Sequence, residues 1–245
     1  MLWRARQALK KLIEGSGYTL LSTKAEVYGH QRVYPHATYA PWSVDNEFLA
    51  TYDSVRFNTH VDKYRCWELW KVVEQIAKLP DGDCLEVGVW RGGSGCLIAK
   101  KLALLNIDSQ VYLCDTFSGV VKAGPLDDSY KGGEHADTTE SVVHDLARCV
   151  GVNVRVLKGV FPDQTGAMLG DRTFRFCHID VDVYESARAS TEWVWPRLIS
   201  RGIIVYDDYG FQGCDGVRRY LDEWSRGTDC LFIHNLNGHA IIVKP

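Results

Sequence analysis

The sequence predicts an α/β fold with a mostly parallel seven-stranded sheet that ends in an antiparallel hairpin. Five short apolar runs alternate with stretches of helical periodicity, an arrangement typical of parallel strands joined by helices. Two further apolar runs, 230–235 and 239–243, flank the Leu-Asn-Gly sequence at 236–238, which is a hairpin signal. The five predicted parallel strands are 84–89, 111–115, 153–157, 174–180 and 202–206.

Helical patterns precede and separate these strands. Residues 62–79 form one such pattern before the first strand, and its large apolar side chains should face the core. Those side chains are Trp67, Trp70, Val73 and Ile76. Further helices are predicted for 94–105 and 186–198, and another begins near Thr139.

The length and composition of the chain fit a single α/β domain preceded by a leader segment. A chain of 245 residues that is 46% hydrophobic can bury one full core. We predict a domain over 59–245 and a leader or helical cap over 1–58. The leader combines a short basic amphipathic helix at 3–13 with a Gly/Tyr/Pro-rich stretch at 28–42.

Charge and cysteine usage limit the possible partners and compartments. The net charge of −3 argues against a nucleic-acid partner, because no broad basic surface is available for phosphate. Eight cysteines include no C-x-x-C pair, which suits a reducing, cytoplasmic setting. Four of them fall in predicted strands: Cys84, Cys114, Cys177 and Cys230. No apolar run reaches transmembrane length and 3–13 lacks a signal-peptide core, so no membrane partner is expected.

A glycine-rich turn follows the first predicted strand. The segment 85–94 reads Leu-Glu-Val-Gly-Val-Trp-Arg-Gly-Gly-Ser and leads directly into a helix. Glycines let backbone approach a ligand, and a helix N-terminus offers unpaired N–H groups. Glu86, Gly88 and Ser94 are therefore candidate contacts for a nucleoside cofactor. A tight strand–helix turn without a ligand is the alternative.

An acid also ends the second predicted strand, at Asp115. In nucleoside-binding α/β folds, an acid at this point accepts hydrogen bonds from the ribose hydroxyls. The alternative is a turn aspartate, because Thr-Phe-Ser-Gly at 116–119 resembles a turn. Two acids at neighbouring strand ends favour the cofactor interpretation.

Aspartates are densest at the ends of the last two predicted parallel strands. Asp180 and Asp182 follow one strand, and Asp207 and Asp208 follow the next. Parallel strands end at one edge of a sheet, so these carboxylates should converge there, with few local lysines or arginines. A hard divalent ion, Mg²⁺ or Mn²⁺, would neutralise Asp180, Asp207 and Asp208. Helix or turn capping by these aspartates is the alternative.

Together these motifs resemble the macrocin O-methyltransferase (TylF-like) family over about 59–223. The matching segments are 86–94, 114–117, 158–163, 178–186 and 205–209. The resemblance implies a Rossmann-like methyltransferase fold and methylation of sugar hydroxyls with S-adenosylmethionine (SAM) and Mg²⁺. Asp180, Asp207 and Asp208 match that family's metal ligands, and Asp180 also matches its proposed general base.

The resemblance also extends the candidate cofactor site. Besides Glu86, Gly88, Ser94 and Asp115, it implies SAM contacts at further positions. These are Thr59, Gly92, Phe117, Thr138, Asp163 and Asp180. In the implied reaction, SAM activates the methyl group, and the metal lowers the pKa of an acceptor hydroxyl.

Residues 122–139 form a long irregular segment after the second strand, at the predicted catalytic edge. Segments of this length are typical of lids or disorder, so we expect a lid over the acceptor. Glu134 and His135 are candidate acceptor contacts, and His135 is a conceivable alternative base. Asp137, with Glu140, is predicted to cap the following helix.

Three functions stay open at this point. The first is a metal-dependent sugar O-methyltransferase with a small-molecule acceptor, a glycoside or sugar diol. A catechol or flavonoid O-methyltransferase would use the same metal logic, and a non-catalytic SAM-fold binding protein would not need the metal carboxylates. A dinucleotide oxidoreductase is disfavoured because no G-x-G-x-x-G follows the first strand. A homo-oligomer is possible.

Overall fold

The computed structural model describes residues 15–16, 29–33 and 36–245. The chain divides into two compact units, Met1–Ala37 and Thr38–Pro245. The sheet and the candidate site both lie in the second unit.

Seven strands of the described chain form one sheet in the order β3-β2-β1-β4-β5-β7-β6. They are β1 (Asp83–Val87), β2 (Val111–Asp115), β3 (Arg155–Lys158), β4 (Phe174–Ile179), β5 (Leu198–Tyr206), β6 (Leu231–His234) and β7 (Ala240–Val243). The first five are parallel, and β7 is antiparallel to both of its neighbours. The predicted fold class and the C-terminal hairpin are therefore confirmed.

Helices cover both faces of this sheet. The α-helices of the unit are α1 (Asn46–Val55), α2 (Lys63–Ile76), α3 (Gly93–Leu104), α4 (Glu140–Val150), α5 (Gly166–Leu169), α6 (Tyr184–Val194) and α7 (Asp215–Ser225). Successive strand side chains face opposite layers, as the pleat requires. In β1, Cys84 joins the core cluster of α1 to α4, whereas Leu85 joins the cluster of α6 and α7. The sheet therefore lies between two hydrophobic cores, one on each face, and these cores hold the strands whose ends form the site.

Two helix starts show which side chains cap them. Asp62 begins α2, where its carboxylate accepts a hydrogen bond from the Tyr64 amide at 2.8 Å. The Thr139 hydroxyl accepts from Val142 at the start of α4. The prediction that Asp137 caps this helix is wrong, because its carboxylate is already held by groups of the glycine turn.

Strand β5 begins at Leu198, four residues before the predicted start. Ser-Arg-Gly at 200–202 resembles a turn in the sequence. In the structure the strand continues through it with an irregularity: Leu198 pairs with Phe174, whereas Ile203 pairs with Phe176. The polar residues are accommodated because Ser200 and Arg201 are exposed.

Three helices were not predicted: α1, the four-residue α5 and α7. Helix α1 lies in the predicted leader 1–58, yet Phe48 and Val55 are fully buried and the helix packs on α3 and α4. Helix α7 is amphipathic and buries Val217 and Leu221, four residues apart. The division between leader and domain at 58/59 stays a prediction, and the predicted basic helix at 3–13 lies outside the described residues.

All eight cysteines are free thiols. Cys84, Cys114 and Cys177 are buried in strands as predicted, and burial raises the pKa of each thiol. Cys230 is only partly buried because β6 starts one residue later, at the sheet edge. In the part of the chain that the structure describes, no helix combines the length and apolar character needed to cross a membrane.

Candidate active site

A cavity of about 380 Å³ opens at the edge where β1, β2, β4 and β5 end. Its volume lies in the range typical of small-molecule sites. Its lining includes Gly88, Asp115, Asp180, Asp182 and Asp208. The structure therefore confirms that acids at the strand ends converge at one edge of the sheet.

Gly88 brings the glycine turn against the end of β4. A Cβ at this position would lie 1.6 Å from the carbonyl oxygen of Asp180, and the backbone φ is +84°. No side chain fits there, and only glycine adopts this φ without strain. Gly88 therefore serves the close approach of two strands at the cavity as well as any ligand contact.

Asp115 lines the cavity and organises the turn beside it. Its Oδ2 accepts hydrogen bonds from the amides of Val89 (2.7 Å) and Trp90 (2.8 Å). Its Oδ1 accepts from the Phe117 amide at 2.6 Å. The turn interpretation thus holds for Asp115, and its contact with a cofactor stays a prediction.

Glu86 lies beneath the cavity and does not line it. Its side chain is fully buried, and Oε1 is 2.8 Å from Nδ1 of His178. Oε2 has no hydrogen-bond partner within the described chain and lies against the first turn of α3, close to Gly95. An unpartnered buried carboxylate oxygen is costly, so this atom is a candidate for a bridging water or ligand group.

The other predicted SAM contacts surround the cavity without lining it. Gly92 and Ser94 lie at the start of α3, where Thr59 packs closely. The Thr138 hydroxyl donates to the carbonyl of Trp90. Phe117 is buried next to Asp115, and the exposed Asp163 forms a 3.0 Å ion pair with Lys122. Their contact with a cofactor stays a prediction.

Three carboxylates converge at the cavity, as the sequence predicted. Asp180, Asp207 and Asp208 each offer an oxygen, and these oxygens lie within 4.8 Å of one another. Among the described residues, none donates a hydrogen bond to the Asp180 carboxylate. Burial, with Asp207 and Asp208 nearby, raises its pKa well above the usual value. A cation would relieve this repulsion.

Asp207 is neutralised by protein groups, which the sequence did not indicate. Arg65 of α2 forms a buried ion pair with its Oδ2. Its Oδ1 lies 2.9 Å from Nε2 of His239 and 3.7 Å from Nε2 of His178. Although burial alone would raise it, these partners hold the pKa of Asp207 well below its usual range. The expectation of few cations near the aspartates is therefore wrong for this one.

Asp208 is oriented by the loop after β4. Its Oδ2 accepts hydrogen bonds from the amides of Val181 (3.1 Å) and Asp182 (2.8 Å), and the Cys214 thiol faces Oδ1 at 3.6 Å. Burial and the neighbouring Asp182 and Asp207 raise the pKa of Asp208 well above normal. These hydrogen bonds leave acceptor positions for a metal, because a carboxylate offers about four.

Asp182 is a functional candidate whose role the sequence left unassigned. It lines the cavity, and burial raises its pKa to about 6, against the opposing effect of the Tyr130 hydroxyl. Its backbone φ is +63°, an uncommon value for a non-glycine residue. Strained backbone at a cavity wall is typical of functional positions.

The metal fit can be judged from these donors. Asp180 and Asp208 offer hard oxygen ligands whose raised pKa values a cation would reverse. Asp207 has fewer free acceptor positions, because Arg65 and His239 already use both of its oxygens. The residues therefore fit a divalent ion held mainly by Asp180 and Asp208, with Asp207 at its side.

Residues 122–139 contain no helix or strand, as predicted, but they are well anchored. Asp127 is buried, and its carboxylate accepts hydrogen bonds from the amides of Gly124 and Tyr184, both at 2.8 Å. Glu134 closes a local turn by accepting from the amides of Lys131 and Gly132. Glu134 does not line the cavity.

Four rings from three loops form the rim of the cavity. His60 stacks on Trp90 with ring centroids 3.9 Å apart and lies 5.0 Å from His135. The Tyr130 hydroxyl is 3.4 Å from Nε2 of His135. Burial and the neighbouring His135 lower the pKa of His60. His135 therefore lies at the cavity, and its contact with an acceptor stays a prediction.

Sequence reasoning missed several residues of the site. Arg65 is a charge on the buried face of a predicted helix, a pattern that signals a partner inside the fold. His178 lies in a buried strand two residues before Asp180, which is a similar signal. His239 and Tyr130 carried no signal, because only the folded hairpin and loop bring them to the cavity.

Comparison with known proteins agrees with this geometry. Residues 50–229 match the family model described as Macrocin-O-methyltransferase (TylF). A relative from Streptomyces olivaceus, an 8-demethyl-8-(2,3-dimethoxy-alpha-L-rhamnosyl)-tetracenomycin-C 4'-O-methyltransferase, is 33% identical over 152 residues, 57% of this chain and 58% of its own. The aligned parts span only 58% to 63% of the length of the three curated relatives matched.

Solved structures share the fold. The O-methyltransferase NovP superposes with a TM-score of 0.67 at 24% identity, over 76% of this chain and 82% of NovP. An O-methyltransferase from Bacillus cereus, solved in complex with SAH, gives a TM-score of 0.52 at 17% identity, over 83% and 94% of the two chains. At these identities the likeness establishes the architecture alone.

Proposed function

The chain belongs to the macrocin O-methyltransferase (TylF) family, and from this premise we propose that it methylates a sugar hydroxyl of a glycosylated small molecule, using SAM. The observation that carries the proposal is the composition of the cavity. Gly88 and Asp115 line it together with Asp180 and Asp208. Direct transfer requires a donor half and an acceptor half in contact, held in a fixed orientation.

The glycine turn and Asp115 form the donor half. SAM, when bound, supplies an electrophilic methyl group. Asp115 would accept hydrogen bonds from the ribose, since its carboxylate is already fixed by three backbone amides. Oε2 of Glu86, which has no hydrogen-bond partner among the described residues, lies near the same turn. There it would attract the ammonium group at the amino-acid end of SAM through a bridging water.

The acidic cluster forms the acceptor half. A divalent ion, Mg²⁺ or Mn²⁺, would lower the pKa of a bound hydroxyl when held by Asp180, Asp207 and Asp208. Arg65 fixes the direction of Asp207, and the amides of Val181 and Asp182 fix that of Asp208. Two adjacent hydroxyls of a sugar would suit such a site.

Two carboxylates are candidates for taking the proton of the acceptor hydroxyl. Asp180 is the base that the family resemblance implies. Asp182 lines the same cavity with a pKa of about 6, close to the working range of a general base. A carboxylate that holds a cation loses basicity, which favours Asp182 when Asp180 is a ligand.

The segment 122–139 is proposed as the lid that excludes water during transfer. Tyr130 and His135 lie at the mouth of the cavity, and His60 and Trp90 complete the rim. Flat apolar rings with a few polar atoms are typical of sites that bind organic ligands. The name of the Streptomyces olivaceus relative, which specifies a rhamnosyl group, supports a sugar-bearing acceptor.

Two measurements test the function. Calorimetry should show micromolar binding of SAM or SAH and no binding of NADH, and Asp115→Ala should weaken SAH binding by about 1.5–3 kcal/mol. Asp145→Ala, an exposed change on α4, is the matched control. Radiolabelled SAM should then be offered with deoxysugar glycosides, catechols and flavonoids. Methylation of glycosides supports the proposal, methylation of catechols alone replaces the acceptor class, and NADH binding without SAM binding refutes it.

A further inference from the structure

Beneath the cavity, two histidines face one aspartate. Nε2 of His239 and Nε2 of His178 lie 2.9 Å and 3.7 Å from the same Oδ1 of Asp207. The three ligand atoms lie within 4.8 Å of one another, and all three residues are buried. Around a tetrahedral metal with bonds of about 2.0–2.1 Å, neighbouring ligand atoms are about 3.3 Å apart, so the two observed separations bracket that spacing.

The far side of each imidazole is held by a carboxylate. Nδ1 of His178 is 2.8 Å from Oε1 of Glu86, and Nδ1 of His239 contacts Oε2 of Glu68. Metal-binding histidines characteristically make this contact, because a carboxylate on one nitrogen orients the lone pair of the other. In this site both Nε2 atoms turn inward, towards Asp207.

One of these inward nitrogens has no partner. Nε2 of His178 makes no hydrogen bond with any described residue, and the side chain is fully buried. A buried ring nitrogen without a partner is costly unless it meets a ligand. This observation is independent of the acidic character of the cluster and points to a missing electrophile between His178 and Asp207.

The charges of the surrounding groups leave room for a divalent ion. Glu68, Glu86 and Asp207 contribute three carboxylates, and Arg65 contributes one guanidinium. Two further positive charges are needed to balance this group. Either two protonated imidazoles or one divalent ion bound to the neutral rings would supply them.

We propose that His178, His239 and Asp207 form a buried divalent-metal site, distinct from the Asp180 and Asp208 oxygens that face the acceptor. Two imidazoles and one carboxylate suit Zn²⁺, Fe²⁺ or Co²⁺, whereas Mg²⁺ prefers oxygen ligands. The ion would join β4 and β5 to the residue preceding β7, so its effect would be to hold these strands together at the cavity floor.

Zn²⁺ and Co²⁺ are the probes for this site. The full chain, stripped with chelator and dialysed, should bind one Zn²⁺ equivalent that excess Mg²⁺ does not displace. X-ray absorption of the Zn²⁺-loaded wild type should show two imidazole ligands, and Co²⁺ should give visible absorption of a nitrogen-bearing site. Oxygen-only coordination, or no retained Zn²⁺, would overturn the proposal.

Variants locate the ion within the floor. His239→Gln should abolish the Co²⁺ absorption, and Glu68→Gln should weaken Zn²⁺ binding by about 10- to 100-fold. Asp180→Asn and the rim variant His135→Gln should leave both signals intact. Loss in Asp180→Asn with retention in His239→Gln would place the ion in the oxygen site and reject the proposal. The wild-type spectrum tests the metal site without any measurement of methyl transfer. Failure of the metal proposal can therefore be told apart from failure of the proposed function.

Discussion

The indole Nε1 of Trp90 donates a 2.9 Å hydrogen bond to the carboxylate of Asp137. Arg91 binds the other oxygen of that carboxylate at 2.7 Å. The glycine turn and the end of the segment 122–139 are therefore fastened together by one exposed aspartate. A ligand that rearranges the glycine turn should therefore also move the end of the segment 122–139.

Removing this contact should loosen the segment. Asp137→Ala is expected to speed hydrogen exchange in 131–139, because two side-chain partners lose their acceptor. Asp128→Ala, an exposed change in the same segment, should leave the exchange rates unchanged. Equal exchange in Asp137→Ala and wild type would show that other contacts anchor the segment.

Ligands should tighten the same segment. If 122–139 is a lid, SAH and a glycoside acceptor together should slow its hydrogen exchange, since lids belong to the least stable parts of a fold. Deleting residues 132–135 should reduce turnover far more than SAH affinity. Hydrogen-exchange rates that do not change with either ligand would show that the segment is a fixed wall of the cavity and not a lid.

Gly88→Ala should be among the most damaging single changes. Its Cβ would overlap the Asp180 carbonyl, and φ is +84°, so we expect a loss of more than about 3 kcal/mol of unfolding free energy. Gly151 also has a positive φ, but no atom lies within 4 Å of its Cβ position. Gly151→Ala should therefore cost only about 1–2 kcal/mol in urea denaturation. Equal losses would mean that strain, not the steric overlap, dominates at Gly88.

Chelation tests the acceptor half. EDTA should abolish turnover, and Mg²⁺ or Mn²⁺ should restore it. Asp208→Asn should lose most activity while binding SAH nearly as well as wild type, because Asp208 lies on the acceptor side of the cavity. Asp53→Asn, on an exposed part of α1, is the control. Full turnover in EDTA would leave these aspartates as structural groups.

The pH profile should identify the proton acceptor. The pKa of Asp182 is raised to about 6, so kcat/KM should fall as the pH drops through that value and the base becomes protonated. The Tyr130 hydroxyl lowers this pKa, so Tyr130→Phe should move the acidic limb to higher pH. Tyr64→Phe, at a half-exposed position, should not. An unmoved limb in Tyr130→Phe would favour Asp180 as the base.

The acids at the strand ends could be predicted from the sequence because the ends of the strands themselves could be predicted. Alternating apolar runs and helices locate β1, β2, β4 and β5, and parallel topology then gathers Asp115, Asp180 and Asp208 at one edge. The family resemblance, confirmed by the match over 50–229, rests on the same segments. Local pattern was sufficient for this half of the site.

Partners that arrive from distant segments are not predictable in this way. Arg65 is separated by 142 residues from Asp207, and Glu68 by 171 residues from His239. Nothing in the local pattern of α2 specifies which carboxylate or imidazole it meets. The state of Asp207, and with it the balance of charge at the floor, follows only from the packing of α2 under the terminal hairpin.

The strand order places β7 between β5 and β6, although β7 follows β6 along the chain. A growing chain that has emerged only as far as β6 cannot attach that strand to the sheet, because the intervening strand does not yet exist. His239, which contacts Asp207, is made just before β7. During synthesis from the N-terminal end, Asp207 therefore lacks its His239 partner until the terminal hairpin has been made.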